Sequence, residues 1–219
     1  MKKKLTISDL QKEASRFCEK ISVEKIKELY GATDGKAVGT YIEHRFRDFL
    51  GEKHEFERGS SANGIDFPSI EINTDVKATS IKQPQSSSPF RSIHQKVYGL
   101  GYNLLLFVYE KADLTDTGGN YSNVKIVSCA FISKERTGDY QLTKAIIEAV
   151  KNKCTKKEII RLFELKNLPD KATHEEIAEE VMKHTPLQGY VTISNALQWR
   201  LQYSRIVEMK STDGVNKIL

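Results

Sequence analysis

The chain has 219 residues, and its 34 lysines and arginines against 29 aspartates and glutamates give a formal net charge of +5. This length suits one large domain, or a core with a smaller appended domain, and the mild basic excess is compatible with nucleic-acid binding without being diagnostic. Three cysteines, an odd number, argue against a secreted disulfide framework, and the five histidines have no zinc-ligand spacing.

No run reaches the roughly 18 apolar residues of a membrane span. The opening lysines are followed by polar sequence rather than by the apolar run of a signal peptide. We therefore expect a soluble cytoplasmic protein with no membrane segment and no nucleotide cofactor.

The first fifty residues are predicted to form three helices. The first helix has an apolar stripe with helical spacing: Leu10, Ala14, Phe17, Cys18 and Ile21. A short second helix is predicted over 23–30, ending at Gly31. The third runs from about Lys36 to Leu50, and Glu43 lies next to its inward face. From the helix alone, a solvated glutamate is the plainer interpretation of Glu43.

Segment 64–79 contains the residues with the most informative chemistry. Alternating polarity over 70–77 predicts a strand on which Asp75 and Lys77 point to the same side, about 7 Å apart along the chain. The turn signal Pro68-Ser69 would bring Asp66 back near Asp75. Two carboxylates can hold Mg²⁺, which activates water for phosphodiester cleavage, and a lysine can orient that water. Solvated charges on a hairpin are the alternative interpretation of these residues taken alone.

The segment that follows, 80–96, is rich in amides, hydroxyls and bases and contains no acid. Such side chains hydrogen-bond base edges and phosphates, whereas the alternative interpretation is a flexible polar linker. The candidate DNA-binding residues of this segment are Lys82, Gln83, Gln85, Ser87, Arg91 and Lys96.

Further strands are predicted around Glu55 and over 64–67, 103–109 and 124–132, with a turn cluster at 113–120. The apolar run 103–109 is typical of a central buried strand. Strands preceded and followed by helices predict an α/β or α+β fold, in which a central mixed sheet is flanked by helices.

The remaining residues are predicted to be helical. One amphipathic helix covers 142–150, and the patterns Thr155 to Glu158 and Thr173 to Glu176 are capping boxes. The two capped helices suit a helix-turn-helix, and the alternatives are that they cover a sheet or form a dimer contact.

A last helix is predicted over 195–206. It would present Gln198 and Arg200, residue types that read adenine and guanine edges. Alternatively, Trp199 and Tyr203 anchor a core or subunit contact there.

Asp66, Asp75-Val76-Lys77 and the helical Glu43 resemble the motif of the PD-(D/E)xK nuclease superfamily. The order helix, acidic hairpin, polar loop and buried strand resembles a type II restriction endonuclease. The resemblance covers about residues 36–110, but Ile65 stands where the motif has proline and the two acids are close in sequence. It implies Asp66, Asp75, Lys77 and Glu43 as catalytic residues. It also implies Asp66, Asp75 and Val76 as ligands of Mg²⁺, with Mn²⁺ as a possible substitute.

The resemblance further implies sequence-specific cleavage of double-stranded DNA. Residues 1–140 would form the nuclease core and 141–219 a helical C-terminal subdomain. A homodimer is expected, because two-fold symmetry matches cleavage of both strands of a palindromic site. A repair or junction-resolving nuclease and a non-catalytic helix-turn-helix regulator are the alternatives, although a regulator has no need of Lys77 beside two carboxylates. Whether Glu43 or Glu71 joins the site is left open.

Overall fold

The computed structural model describes residues 2–59, 64–89, 92–195 and 198–219, with only the backbone at 89, 198 and 199. Two compact units make up the chain. The first contains Met1–Gln85, Asn103–Ile132 and Val207–Leu219, and the second contains Ser86–Tyr102 and Ser133–Ile206. This grouping differs from a division at residue 140, and the roles assigned to 1–140 and 141–219 remain predictions.

The described residues form α-helices and strands of very different length, with the following bounds. The helices are α1 (Ile7–Val23), α2 (Gly35–Lys53), α3 (His94–Tyr98), α4 (Tyr140–Lys151), α5 (Lys156–Leu165), α6 (His174–Lys183) and α7 (Ser204–Glu208). The strands are β1 (Lys3–Lys4), β2 (His54–Glu55), β3 (Thr74–Ser80), β4 (Gln85–Pro89), β5 (Asn103–Asp116), β6 (Gly119–Ile132), β7 (Thr192–Ile193), β8 (Gln198–Gln202) and β9 (Val215–Lys217). None of the described helices is long and apolar enough to cross a membrane.

The first unit is built on a four-stranded sheet in the order β3-β5-β6-β9. Strand β3 runs parallel to β5, with Thr74 opposite Asn103, whereas β5 pairs antiparallel with β6 and β6 with β9. Strand β3 therefore lies at one edge of a mixed sheet. The predicted fold class, a mixed sheet flanked by helices, is confirmed.

Helices α1 and α2 pack on this sheet through an aromatic cluster. The rings of Phe17 of α1, Phe46 of α2 and Phe107 of β5 all contact one another, with centroids 5.0 to 5.5 Å apart. The Thr6 side chain accepts a hydrogen bond from Asp9 N and so begins α1, whose predicted apolar stripe is buried. Both long helices are confirmed, whereas the short helix predicted over 23–30 is wrong in extent: only Lys27–Leu29 is helical, as one 3₁₀ turn.

Two strand predictions in the first unit are wrong in extent. Residues 70–72 form a turn rather than the start of a strand, and Ile70 is 96% exposed. Asn73 follows with a left-handed φ of 34°, a conformation that Asn tolerates better than most residues and that starts β3 only at Thr74. Segment 64–67 contributes a single antiparallel bridge, Phe67 to Thr74. The buried strand over 103–109 is confirmed but continues to Asp116, through the first half of the predicted turn cluster.

The second unit has a helical core and a small sheet in the order β4-β8-β7. The apolar faces of α4, α5 and α6 share one buried cluster that includes Ile146, Phe163 and Val181. The capping box at Thr155 is present, with both reciprocal hydrogen bonds. At the start of α6, the Thr173 side chain does not cap the helix, because its hydroxyl donates a hydrogen bond to Asp170 O instead. The predicted capping box there is wrong.

The helix predicted over 195–206 is also wrong. Residues Gln198–Gln202 form β8, and a short helix begins only at Ser204. Leu201 and Tyr203 are fully buried, two positions apart, which is the period of a strand rather than that of a helix. The helix was predicted from Leu197, Leu201 and Ile206, of which the first two, four residues apart, fit either period.

Candidate active site

The site lies on β3, where α2 approaches the edge of the sheet. A Cβ at Gly39 would lie 2.6 Å from Ala78 O, so only glycine permits this closeness of helix and strand backbones. One helical turn later, Glu43 Oε1 accepts a hydrogen bond of 2.9 Å from Ala78 N. The α2–β3 packing thus places a carboxylate directly against the edge strand.

A second carboxylate occupies the next outward-facing position on the same edge. Asp66 Oδ2 accepts a hydrogen bond of 2.9 Å from Val76 N, two residues before Ala78. An edge strand leaves alternate N–H groups without a strand partner, and here two acidic side chains bind them. The edge of β3 therefore collects negative charge.

Asp75 and Lys77 lie on the same side of β3, as the alternation predicted. Lys77 Nζ is 2.7 Å from Asp75 Oδ2, and the side chains are 24% and 4% exposed, respectively. The turn after Phe67 and the bridge from Phe67 to Thr74 fold the chain back, which brings the Asp66 carboxylate close enough to Asp75 to raise the pKa of the Asp75 carboxyl. Both predicted approaches to Asp75 are confirmed.

Arg47 completes the cluster and was missed from the sequence. Its Nη1 is 3.2 Å from Asp66 Oδ1, and the two side chains are 21% and 17% exposed. Arg47 follows Glu43 by four residues on α2, so both side chains lie on the same face of the helix. This spacing of four residues from Glu43 was the sequence signal that could have identified Arg47.

Burial dominates the electrostatics of the acidic groups. It raises the pKa of Asp75 to about 7, with the Lys77 charge and hydrogen bond opposing it and the Asp66 carboxylate reinforcing it. Burial also raises the pKa of Glu43 to about 7, against the charge of Lys77 and the hydrogen bond from Ala78 N. The negative charges of Asp66 and Asp75 repel each other, so a cation bound by both carboxylates would be stabilised.

This donor set fits a hard divalent cation. Mg²⁺ is usually held by one or two carboxylates, with waters and substrate phosphate filling the other positions. Asp66 and Asp75 supply two carboxylates, and the carbonyl of Val76 lies between Asp75 and Lys77 on the strand. Among the described residues, no three His, Cys, Asp or Glu side chains are grouped as a metal site, so protein carboxylates alone would not complete the coordination shell.

Glu71 does not join this site. It is exposed on the turn before β3, and its Oε1 is 3.5 Å from Lys4 Nζ. Of the two glutamates that the sequence left open, Glu43 is the one within the cluster.

The DNA-binding candidates of the first unit lie just beyond β3. Lys82 and Gln83 are exposed in the turn after this strand. Gln85 is half-buried, and its backbone N donates to Thr79 Oγ1 over 3.1 Å. Lys82 and Gln83 are thus available to solvent, and Gln85 is anchored through its main chain.

In the second unit, two segments that the sequence singled out separately are neighbouring strands. Ser87 of β4 and Arg200 of β8 are both exposed, and Arg200 Nη1 donates to Ser87 Oγ over 3.3 Å. Behind them, Ser86 Oγ and the buried Tyr203 hydroxyl are 2.6 Å apart, which fixes β4 against the end of β8. Arg91 and the side chain of Gln198 lie outside the described residues.

Lys96 does not suit the predicted contact with DNA phosphate. It is 3% exposed, and its ammonium donates to Asn195 Oδ1 and to Ser194 O. Burial lowers the pKa of Lys96, with the charge of Asp139 opposing the shift. A short helix turns this lysine inward, which its polar sequence context did not indicate, and its contact with DNA stays an untested prediction.

Comparison with known proteins supplies the family context. Residues 4–217 match the model of a family described as type II restriction enzyme NspV. Over 213 residues the chain is 48% identical to the type II restriction enzyme NspV of Nostoc sp. (strain ATCC 29411 / PCC 7524), and the alignment covers 96% of this chain and 95% of that enzyme. No solved structure matches the chain.

Proposed function

Since the chain belongs to the family of the type II restriction enzyme NspV, we propose that it is a restriction endonuclease with a PD-(D/E)xK cleavage centre. Its substrate is double-stranded DNA, and its cofactor is Mg²⁺, with Mn²⁺ as a possible substitute. The observation that carries the proposal is the cluster that Asp75 and Lys77 of the edge strand β3 form with Asp66, which binds the same edge.

In this proposal, Asp66, Asp75 and Val76 hold the divalent cation. The cation supplies a water of lowered pKa and stabilises negative charge on the scissile phosphate. Lys77 holds its ammonium against Asp75 at the rim of the cluster, where it can orient the attacking water and neutralise charge on the phosphate. Glu43 fixes the edge of β3 through Ala78 N, which keeps Asp75 and Lys77 in register.

The role of Lys77 is tested by Lys77→Ala in single-turnover cleavage of plasmid DNA. Loss of a group that orients the nucleophile should slow cleavage by about 10² or more. Binding to the same DNA in Ca²⁺ should be retained, because the variant keeps both carboxylates.

Lys111→Ala is the matched control. Lys111 also pairs with an aspartate, Asp113, on a strand of the same unit. The Lys111→Ala variant should cleave DNA at the wild-type rate. Wild-type cleavage by Lys77→Ala would remove Lys77 from the mechanism.

Sequence recognition is proposed for the small sheet of the second unit, with Arg200 as the base-reading residue. Arginine pairs bidentately with guanine, and the hydrogen bond to Ser87 orients the guanidinium at the exposed strand surface. Arg200→Ala should lose about 1–3 kcal/mol of discrimination at one base pair. Arg161→Ala, an exposed arginine on α5, is the control that should leave the sequence preference unchanged.

A homodimer is proposed on symmetry grounds, because one active site per chain must cut two strands. Of the two contacts that the sequence offers for Tyr203, in the core or between subunits, its complete burial and its hydrogen bond with Ser86 favour the core, so Tyr203 provides no surface for the dimer. Sedimentation with a duplex carrying the mapped site should give two chains per duplex. One chain per duplex at saturating protein would contradict the dimer.

A further inference from the structure

Both oxygens of the Asp66 carboxylate already have partners within the chain. Val76 N donates to Oδ2 over 2.9 Å, and the Arg47 guanidinium lies 3.2 Å from Oδ1. The Val76 amide is fixed in a strand, whereas Arg47 sits at the end of a long side chain. A cation that binds Asp66 therefore meets a positive group that is able to move.

The surroundings of Arg47 give it a second possible partner. Its charge acts on Glu43 as well as on Asp66, so the guanidinium lies near both acids of the cluster. The Arg47 side chain remains 21% exposed and that of Lys77 24% exposed, so both cations are open to an approaching phosphate. A guanidinium binds phosphate oxygens in the same bidentate way as carboxylate oxygens.

We propose that Arg47 is the counter-ion of Asp66 in the metal-free protein and exchanges this partner for a DNA phosphate when a divalent cation binds. This proposal rests on the cleavage centre proposed above. It assigns to Arg47 two opposite effects: the residue weakens cation binding in the absence of DNA and assists cleavage in its presence. A purely structural support of Asp66 would instead strengthen both.

The test measures Mn²⁺ binding to the DNA-free protein by the electron paramagnetic resonance signal of unbound Mn²⁺. Arg47→Met removes the competing charge and should bind Mn²⁺ about three- to tenfold more tightly than the wild type. Arg47→Lys keeps the charge and should stay within about twofold of the wild type. Arg45→Met is the matched control, because Arg45 is on the same helix but pairs with Glu24, and it should bind Mn²⁺ like the wild type.

The same variants are compared in single-turnover cleavage at saturating Mn²⁺. Arg47→Met should cleave about tenfold more slowly or worse, despite its tighter cation site. Unchanged or weaker Mn²⁺ binding by Arg47→Met, or tighter binding by Arg47→Lys, would overturn the exchange, as would wild-type cleavage by Arg47→Met. Should Arg47→Met not fold, Arg47→Gln repeats the test with a neutral, polar side chain.

Failure of the cleavage centre itself has a different signature. Wild-type protein and Asp75→Asn would then bind Mn²⁺ equally poorly, whatever residue stands at 47. A wild type that binds Mn²⁺ and an Asp75→Asn variant that does not would leave the centre standing and isolate the role of Arg47.

Discussion

Ionisation of Asp75 should destabilise the metal-free protein, and Asp75→Asn isolates that effect. The pKa of Asp75 is raised from 3.8 to about 7, chiefly by burial. The folded state thus binds the proton more tightly than the unfolded state, so stability is highest at low pH and falls as the pH rises from near 3.8 through about 7. Proton linkage over this window lowers the free energy of unfolding by roughly 2 to 3 kcal/mol between pH 5 and pH 8.

The neutral amide of Asp75→Asn resembles the protonated carboxyl and carries no such loss. Urea unfolding in EDTA at pH 5, 6, 7 and 8 measures this loss as the difference in the free energy of unfolding between wild type and variant. The contributions of the other titrating groups largely cancel in that difference. Asp48→Asn, an exposed aspartate on α2, should follow the wild type. The reasoning is refuted if wild type and Asp75→Asn lose the same stability between pH 5 and pH 8.

Three further predictions follow from the packing. Gly39→Ala should lower the free energy of unfolding by about 1–3 kcal/mol and slow cleavage, since its Cβ meets the β3 backbone; Gly51→Ala, whose Cβ meets only the end of the Arg58 side chain, should do neither in the same assays. Glu43→Gln should keep the hydrogen bond to β3 and unfold like the wild type at pH 5, but cleave more slowly at pH 8; an unchanged rate would confine Glu43 to a structural role. Thr155→Ala should lower stability by about 1 kcal/mol in urea without changing cleavage, and a cleavage defect would contradict the assignment of this cap to folding alone.

The grouping of Asp66, Asp75 and Lys77 could be predicted from the sequence because it depends on local patterns. Alternation along β3 placed Asp75 and Lys77 on one side, and the turn signal at Pro68 brought Asp66 back to them. The position of Glu43 followed from resemblance rather than from its helix pattern. Family membership then favours a restriction enzyme over the junction-resolving nuclease and the regulator.

What the sequence did not predict depends on tertiary packing. The pairing of Arg47 with Asp66 requires the close α2–β3 contact at Gly39, which no local pattern states. Lys96 looked like a surface base, but its short helix turns it inward. The segment around Arg200 was misassigned as helix, because five residues are too few to separate a period of 2 from one of 3.6.

The most direct test of the cleavage centre is cutting of double-stranded DNA by wild-type protein and Asp75→Asn, each with Mg²⁺ and with EDTA. Wild type with Mg²⁺ should give discrete fragments with fixed ends, and the other three reactions should leave the DNA intact. Fixed-end fragments from Asp75→Asn at the wild-type rate, or from wild type in EDTA, would contradict a metal centre at Asp66 and Asp75.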